Sequence, residues 1–211
     1  MKYRLILLIL IASNLAICQI HKNMSFTEEN FWIVLEQSKS DKETVYEKNI
    51  INKLLLLSDE DICDFEAILV CKMRNLYSWD AYGVLVLFNK YPTMPEHFWD
   101  FRSWVIAQGK DFYYSFIKNP DTHAKEMVQA YEKRRYLDFE SLMYVSTEAI
   151  EMRYKEQYTE DMNPRNKIDI SYDLFSDGEF NFQGTKWDSY EQLQERFPNL
   201  NRCIKELYDE K

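Results

Sequence analysis

One arginine stands among aromatic residues in the stretch FWDFRSWVIAQGKDFY, residues 98–113, and its guanidinium is well suited to binding an anion. Arg102 follows Trp99 by three residues and precedes Trp104 by two, so it can stack on a ring or donate hydrogen bonds to a carboxylate or phosphate. Gln108 adds an amide in the same stretch. These residues, with Glu148, form the candidate binding site that the sequence offers.

The same pattern also predicts a buried, structural arginine, and we favour this interpretation. On a helix, the apolar side chains of this stretch cover well over half of the circumference, as expected of a helix packed on several sides. The stem of Arg102 is then buried, and an ion pair with Glu148 or Glu151 would fix how two helices meet. Gly109 is expected to end the helix, where positive φ favours glycine.

Common catalytic and metal-binding motifs are missing from the sequence. There is no glycine-rich phosphate loop, no GxSxG, no HExxH and no CxxC, and the three histidines are scattered. We therefore predict no catalytic residue, no metal and no cofactor, and favour a protein that is not an enzyme. The alternative is a hydrolase or small-ligand-binding protein with a site around Arg102 and nearby carboxylates. With 35 Asp and Glu residues, a catalytic carboxylate pair stays open.

The first eighteen residues have the composition of an export signal. Lys2 and Arg4 precede an apolar run at residues 5–12, and Ala-Ile-Cys at residues 16–18 is a small-x-small cleavage site. The run is shorter than the roughly 20 residues of a transmembrane helix. We predict a signal peptide at residues 1–18 and a periplasmic or secreted protein. As an alternative, Cys18 is the lipid-bearing first residue of a lipoprotein.

The predicted mature chain is strongly acidic. The whole sequence has 26 Lys and Arg against 35 Asp and Glu, a net charge of −9. Removing residues 1–18 takes away Lys2 and Arg4, so the net charge becomes −11. Such a surface repels nucleic-acid phosphates and anionic lipids and suits a basic partner. We expect an unidentified protein partner, in a specific version a basic toxin that an immunity-like protein holds through its acidic face.

The sequence predicts an all-α, multi-helix bundle in a single domain. Four glycines and five prolines in 211 residues favour long helices over strands joined by turns. A long irregular loop at residues 159–186 interrupts the helical pattern and holds Asp177-Gly178, the turn of a possible small hairpin. The predicted organisation is the signal peptide, a short N-terminal extension at 19–26, and the helical domain at 27–211.

Some helix ends can also be predicted. Thr27 and Ser58 are expected to cap helices, the latter with Asp61 three residues later. Residues 138–158 are expected to form one long helix. The last helical piece is expected to be kinked or split at Pro198.

Three cysteines remain after the predicted cleavage. Cys63 and Cys71 lie eight residues apart on one predicted helix, roughly 12 Å along its axis and beyond the reach of a disulfide. Cys203 could pair with either one in an oxidising compartment. We favour three free thiols that pack as small apolar residues.

Five blocks of the sequence are similar to one known family. They are TEENFWIVLEQSK, NLYSWDAYGVLVLFN, FWDFRSWVIAQGKDFYYSFIKNPD, YVSTEAIEMRY and WDSYEQLQERFPNLNRCIKELY. They resemble the bacterial family called domain of unknown function 4240, from about Thr27 to Tyr208. Its most specific piece is Phe101-Arg102-x-Trp104 followed by Ile-Ala-Gln-Gly at 106–109. The resemblance implies a helical fold and no catalytic residue, since no activity is established for the family. An export signal is atypical of it.

Overall fold

A computed structural model describes residues 25–134, 136–168 and 182–209 of the chain. These residues contain ten α-helices and no β-strand, which confirms the all-α prediction. The helices are α1 (Glu28–Ser38), α2 (Glu43–Leu54), α3 (Asp59–Asn75), α4 (Trp79–Asn89), α5 (Pro95–Ala107), α6 (Lys110–Lys118), α7 (Ala124–Arg134), α8 (Val145–Tyr154), α9 (Tyr190–Arg196) and α10 (Pro198–Asp209). The predicted signal peptide and the Asp177-Gly178 hairpin lie outside the described residues.

Polar side chains cap the N-termini of two helices at the residues that the sequence predicted. The Thr27 hydroxyl accepts a hydrogen bond from the Asn30 amide, and the Asn30 side chain accepts one from the Thr27 amide at 2.9 Å. The Ser58 hydroxyl accepts from the amide of Asp61 at 3.1 Å. Each cap satisfies an amide that the first turn of a helix leaves without an intrahelical partner.

Helix α5 is the central element of the bundle. It packs against α3, α4, α6 and the 3₁₀ turn Glu140–Met143. Its buried residues run without a break from Phe101 to Ala107 and include Arg102 and Ser103. A helix covered on several sides needs apolar side chains around most of its circumference, as this stretch has.

The chain turns sharply between α5 and α6 at Gly109. This residue has φ 102° and ψ 177°, a backbone conformation that is almost restricted to glycine. A Cβ there would lie 3.0 Å from the Lys39 Nζ and 3.2 Å from a Glu36 carboxylate oxygen. The predicted helix end at Gly109 is therefore confirmed.

The prediction of one long helix at residues 138–158 is wrong. The chain forms the 3₁₀ turn Glu140–Met143, then α8 of ten residues, and α8 ends before Lys155, which has φ 51°. The buried Phe139 explains the late start, because its amide donates to the carbonyl of Asp100 in α5 at 3.2 Å. This tertiary hydrogen bond holds the segment in a non-helical conformation despite its helical pattern.

The C-terminal helices are split at Phe197-Pro198, as predicted. The buried carboxylate of Asp121 accepts hydrogen bonds from the amides of Asn199 and Leu200, at 3.1 and 2.8 Å. It thereby caps α10 and holds it against the turn before α7.

Two of the three cysteines predicted to be free have free thiols, Cys63 and Cys203. Neither alternative pairing of Cys203, with Cys63 or with Cys71, is formed. Cys71 is disulfide-bonded in the full chain, so its free thiol, which was predicted for the chain after cleavage, stays a prediction. None of the helices in the described ranges is both long and apolar enough to cross a membrane.

We expect Gly109→Ala to lower the free energy of unfolding by roughly 1–3 kcal/mol, because the new Cβ must be placed at positive φ. Thermal or urea denaturation measures this change. Lys110→Ala is the neighbouring control, and it removes only a surface ion pair with Glu29. Equal stability of Gly109→Ala and the unaltered protein would contradict the expected strain.

Candidate functional site

Arg102 exposes none of its surface and is held inside an aromatic box. Its Nε donates to the carbonyl of Phe98 at 3.3 Å, and its Nη1 donates to the carbonyl of Met73 at 3.0 Å. The guanidinium carbon lies 4.8, 5.1 and 5.2 Å from the ring centroids of Phe98, Trp99 and Tyr77. The side chain therefore joins the last turn of α3 to α5 and is sandwiched by rings.

The ion pair predicted between Arg102 and Glu148 or Glu151 is not formed. Among the described residues, the hydrogen-bond partners of Arg102 are the two carbonyls, and Nη2 has none. Burial lowers the pKa of Arg102 to about 10, so the guanidinium stays charged at neutral pH. The negative end of the α3 dipole and the faces of the rings stabilise this charge in place of a carboxylate.

The other residues of the predicted Arg102 site do not converge on its guanidinium, except for Trp99. Trp104 packs edge-on against Phe112, with ring centroids 5.6 Å apart. The Gln108 side chain donates to the carbonyl of Trp104 at 3.1 Å, the same carbonyl that accepts the Gln108 backbone amide at 3.2 Å. This geometry favours the structural interpretation of the stretch over ligand binding.

Ser115 and His123 are in contact, a pairing that the sequence did not suggest. The Ser115 hydroxyl lies 2.7 Å from the His123 Nε2, and the His123 Nδ1 lies 3.7 Å from the Glu126 carboxylate. The order resembles a nucleophile, base and acid. However, the hydroxyl oxygen also lies 2.5 Å from the carbonyl of Asp111, which can only accept. The serine proton therefore points to that carbonyl and His123 donates to the serine, so this hydroxyl is not activated as a nucleophile.

A cleft of about 280 Å³ lies between the α4–α5 corner and the chain segment that follows α7. Three large side chains at the cleft are more than half exposed: Tyr91 at 66%, Met94 at 62% and Tyr136 at 64%. The carboxyl groups of Asp100 and Asp138 also line it. Large exposed apolar side chains that gather at one opening mark an interaction site more often than isolated ones do.

The carboxyl of Asp100, which lines this cleft, has a pKa well above its usual value. Burial contributes most to raising the pKa of its carboxyl, the nearby Glu140, Asp138 and Glu43 also raise it, and His97 opposes them, so the pKa is about 6. The carboxyl is thus ionised at pH 7 in a negative environment. A bound cation would relieve this repulsion.

Further carboxylates continue from the cleft along one side of the molecule. Burial and the nearby Asp138, Glu47 and Glu140 raise the pKa of Glu43. Burial, Glu47 and Glu151 likewise raise the pKa of Glu148. Helix α2, which carries Glu47, packs against α8. We call this set the acidic strip. Its members are Asp100, Asp138, Glu140, Glu43, Glu47, Glu148 and Glu151.

Little positive charge offsets the acidic strip within the described part of the chain. Arg134 pairs with Glu43 at 3.1 Å, and His97 lines the cleft beside Asp100. No group of three or more His, Cys, Asp or Glu side chains in the described ranges is arranged to hold a metal ion. The carboxylates of the acidic strip can attract an organic cation, such as an ammonium or guanidinium group.

The cleft cannot be recognised in the sequence, because its walls come from distant segments. Tyr136 and Asp138 reach Asp100 through the hydrogen bond between the Phe139 amide and the Asp100 carbonyl. The one local signal is the spacing of His97 and Asp100, three residues apart on one face of α5.

We expect Arg102→Ala to lower the free energy of unfolding by on the order of 3–5 kcal/mol, because it leaves a cavity in the box. Arg102→Met keeps most of the volume and buries no charge, so its cost should be about 1.5 kcal/mol or less. Urea denaturation of both variants measures the difference. Similar losses for both would contradict a packing role and point to the charge.

Asp100→Asn should stabilise the protein at neutral pH. Because folding raises the pKa of Asp100, the stability that its neutral carboxyl provides is present below about pH 4 and is lost as the pH rises through about 6. The amide variant avoids this loss. The gain at pH 7 should be on the order of 1 kcal/mol, after solvent screening of a half-buried group, and should vanish near pH 4. Denaturation at both pH values tests it, and a pH-independent difference would contradict it.

Comparison with known proteins gives one match. The family model described as Protein of unknown function (DUF4240) matches residues 26–152, more than half of the chain, including Arg102 and the cleft. The likeness of the last block, at residues 187–208, lies outside that match and stays a prediction. Neither the curated proteins nor the solved structures gave a match. The predicted resemblance is confirmed, and the chain belongs to the family of proteins of unknown function DUF4240.

Proposed function

We propose that this protein is an exported, non-catalytic binding protein that holds a basic protein partner through its acidic strip and cleft. One observation carries the proposal: exposed Tyr91, Met94 and Tyr136 gather at a cleft that Asp100 and Asp138 also line. Tyrosine and methionine are enriched at protein interfaces, and complementary charge increases the rate of association. An immunity-like protein that neutralises a basic toxin is the specific version.

Export remains part of the proposal and rests on residues 1–18. Their positive start, short apolar run and small-x-small site support cleavage before Gln19. An acidic binding face would then meet its partner in the periplasm or outside the cell. The lipoprotein alternative through Cys18 would place the same face at a membrane surface.

The alternative function, a hydrolase or small-ligand-binding protein using Arg102, has less support. Arg102 is fully buried, with an exposed fraction of zero. Ligand recognition by this guanidinium would require α5 or its neighbours to move. The Ser115–His123 contact does not supply a nucleophile either, for the reason given above.

Affinity capture tests the proposal. We expect immobilised residues 19–211 to retain one basic protein in stoichiometric amount from envelope or secreted extract at low salt, and to lose it at high salt. Cytosolic extract serves as the parallel sample for the export proposal. The double variant Asp100→Asn/Asp138→Asn should lose the protein, because it removes two charges from the cleft.

The matched control is Glu60→Gln/Glu195→Gln. It removes the same charge from two exposed carboxylates that do not line the cleft and form no ion pair within the described residues. It should retain the partner. If both double variants bind alike, or if no protein is retained at either salt concentration, the proposal is wrong. Retention from cytosolic extract alone would contradict export.

A further inference from the structure

We infer that the cleft holds the side chain of one arginine of the partner, with its guanidinium at Asp100 and Asp138. This inference deepens the proposed function and rests on it. It names the anchor residue through which the basic partner is recognised.

The size of the cleft suits one side chain. Its volume of about 280 Å³ lies just below the range of roughly 300–1,000 Å³ that is usual for small-molecule sites. A helix or a strand cannot enter such a space. A single long side chain that projects from the partner can.

The walls suit the apolar stem of an arginine. Leu85, Phe88 and Leu137 line the cleft and are themselves buried, so they offer apolar contact to methylene groups. Arginine buries its stem along such surfaces while its head group seeks polar partners. The carboxyl groups of Asp100 and Asp138 provide those partners.

The exposed tyrosines favour arginine over lysine. A guanidinium is planar, stacks on aromatic faces and presents several donors to carboxylates, whereas an ammonium is a strongly hydrated point charge. Tyr91 and Tyr136 supply rings at the cleft where such a plane can stack. Binding energy at interfaces is concentrated in arginine and aromatic residues that meet in pockets of this kind.

Binding should also be linked to a proton on Asp100. The groups that act on its carboxyl are Glu140, Asp138 and Glu43, which favour the protonated form, and His97, which opposes it. The nearby cation Arg134 is already paired with Glu43. An incoming guanidinium needs the ionised carboxyl, so affinity should fall about tenfold from pH 7 to pH 5.

The test is a titration of residues 19–211 with Nα-acetyl-arginine methylamide, followed by NMR or calorimetry. The neutral citrulline analogue has nearly the same shape and is the ligand control, and the lysine analogue is the comparison. We expect the arginine compound to bind more tightly than the lysine compound, and the citrulline compound not to bind. The Asp100→Asn variant should bind the arginine compound at least tenfold more weakly and without the pH step.

Two further variants complete the design. Glu195→Gln should leave affinity unchanged, and His97→Asn should keep the pH step if Asp100 is its source. Denaturation of each variant shows that it is folded. Equal binding of the arginine and citrulline compounds, or unchanged affinity in Asp100→Asn, would overturn the inference.

The two proposals can fail separately. If capture succeeds and depends on Asp100 and Asp138 but the arginine compound does not bind, the acidic strip holds the partner and the anchor inference is wrong. If the arginine compound binds as expected but no protein is captured, the cleft recognises a guanidinium and the proposed protein partner is wrong.

Discussion

The buried guanidinium of Arg102 fixes how α3 and α5 meet, and much of the bundle is arranged around that contact. Its Nη1 binds the carbonyl of Met73 in the last turn of α3, and three rings surround the charge. A lone buried charge is costly, and the carbonyl dipoles and ring faces offset that cost only in one relative position of the two helices. The pair of helices is therefore specified by a polar contact as well as by apolar packing.

This central position of α5 explains where the cleft lies. Helix α5 is buried without a break from Phe101 to Ala107, so its exposed and half-buried polar side chains lie in its N-terminal half, where His97 and Asp100 are beside the Tyr91–Met94 corner. The carbonyl of Asp100 then receives the amide of Phe139. The same residue thus anchors the opposite wall with its backbone and presents its carboxyl to the cleft.

The sequence predicts the all-α fold, the caps at Thr27 and Ser58, and the turn at Gly109, since each depends on local chemistry. It does not predict the break before α8 or the partners of Arg102, which depend on distant segments. Helical pattern is present at residues 138–158, but the buried Phe139 and its long-range hydrogen bond override it. Glu148 is a plausible partner for Arg102 by type, yet it belongs to the acidic strip. The cleft is missed for the same reason.

The acidic strip also lowers the stability of the folded protein at neutral pH, and this bears on its role. Carboxylates that raise one another's pKa oppose folding at neutral pH, and a half-buried Asp100 adds a desolvation penalty. Packing alone does not require this arrangement, because an amide or an apolar side chain at Asp100 would avoid both penalties. Destabilising charge that gathers at an opening with exposed aromatic side chains is expected where binding, and not stability, determines the residues. The repulsion that destabilises the free protein is then relieved when a cation enters the cleft, so its relief contributes to the free energy of binding.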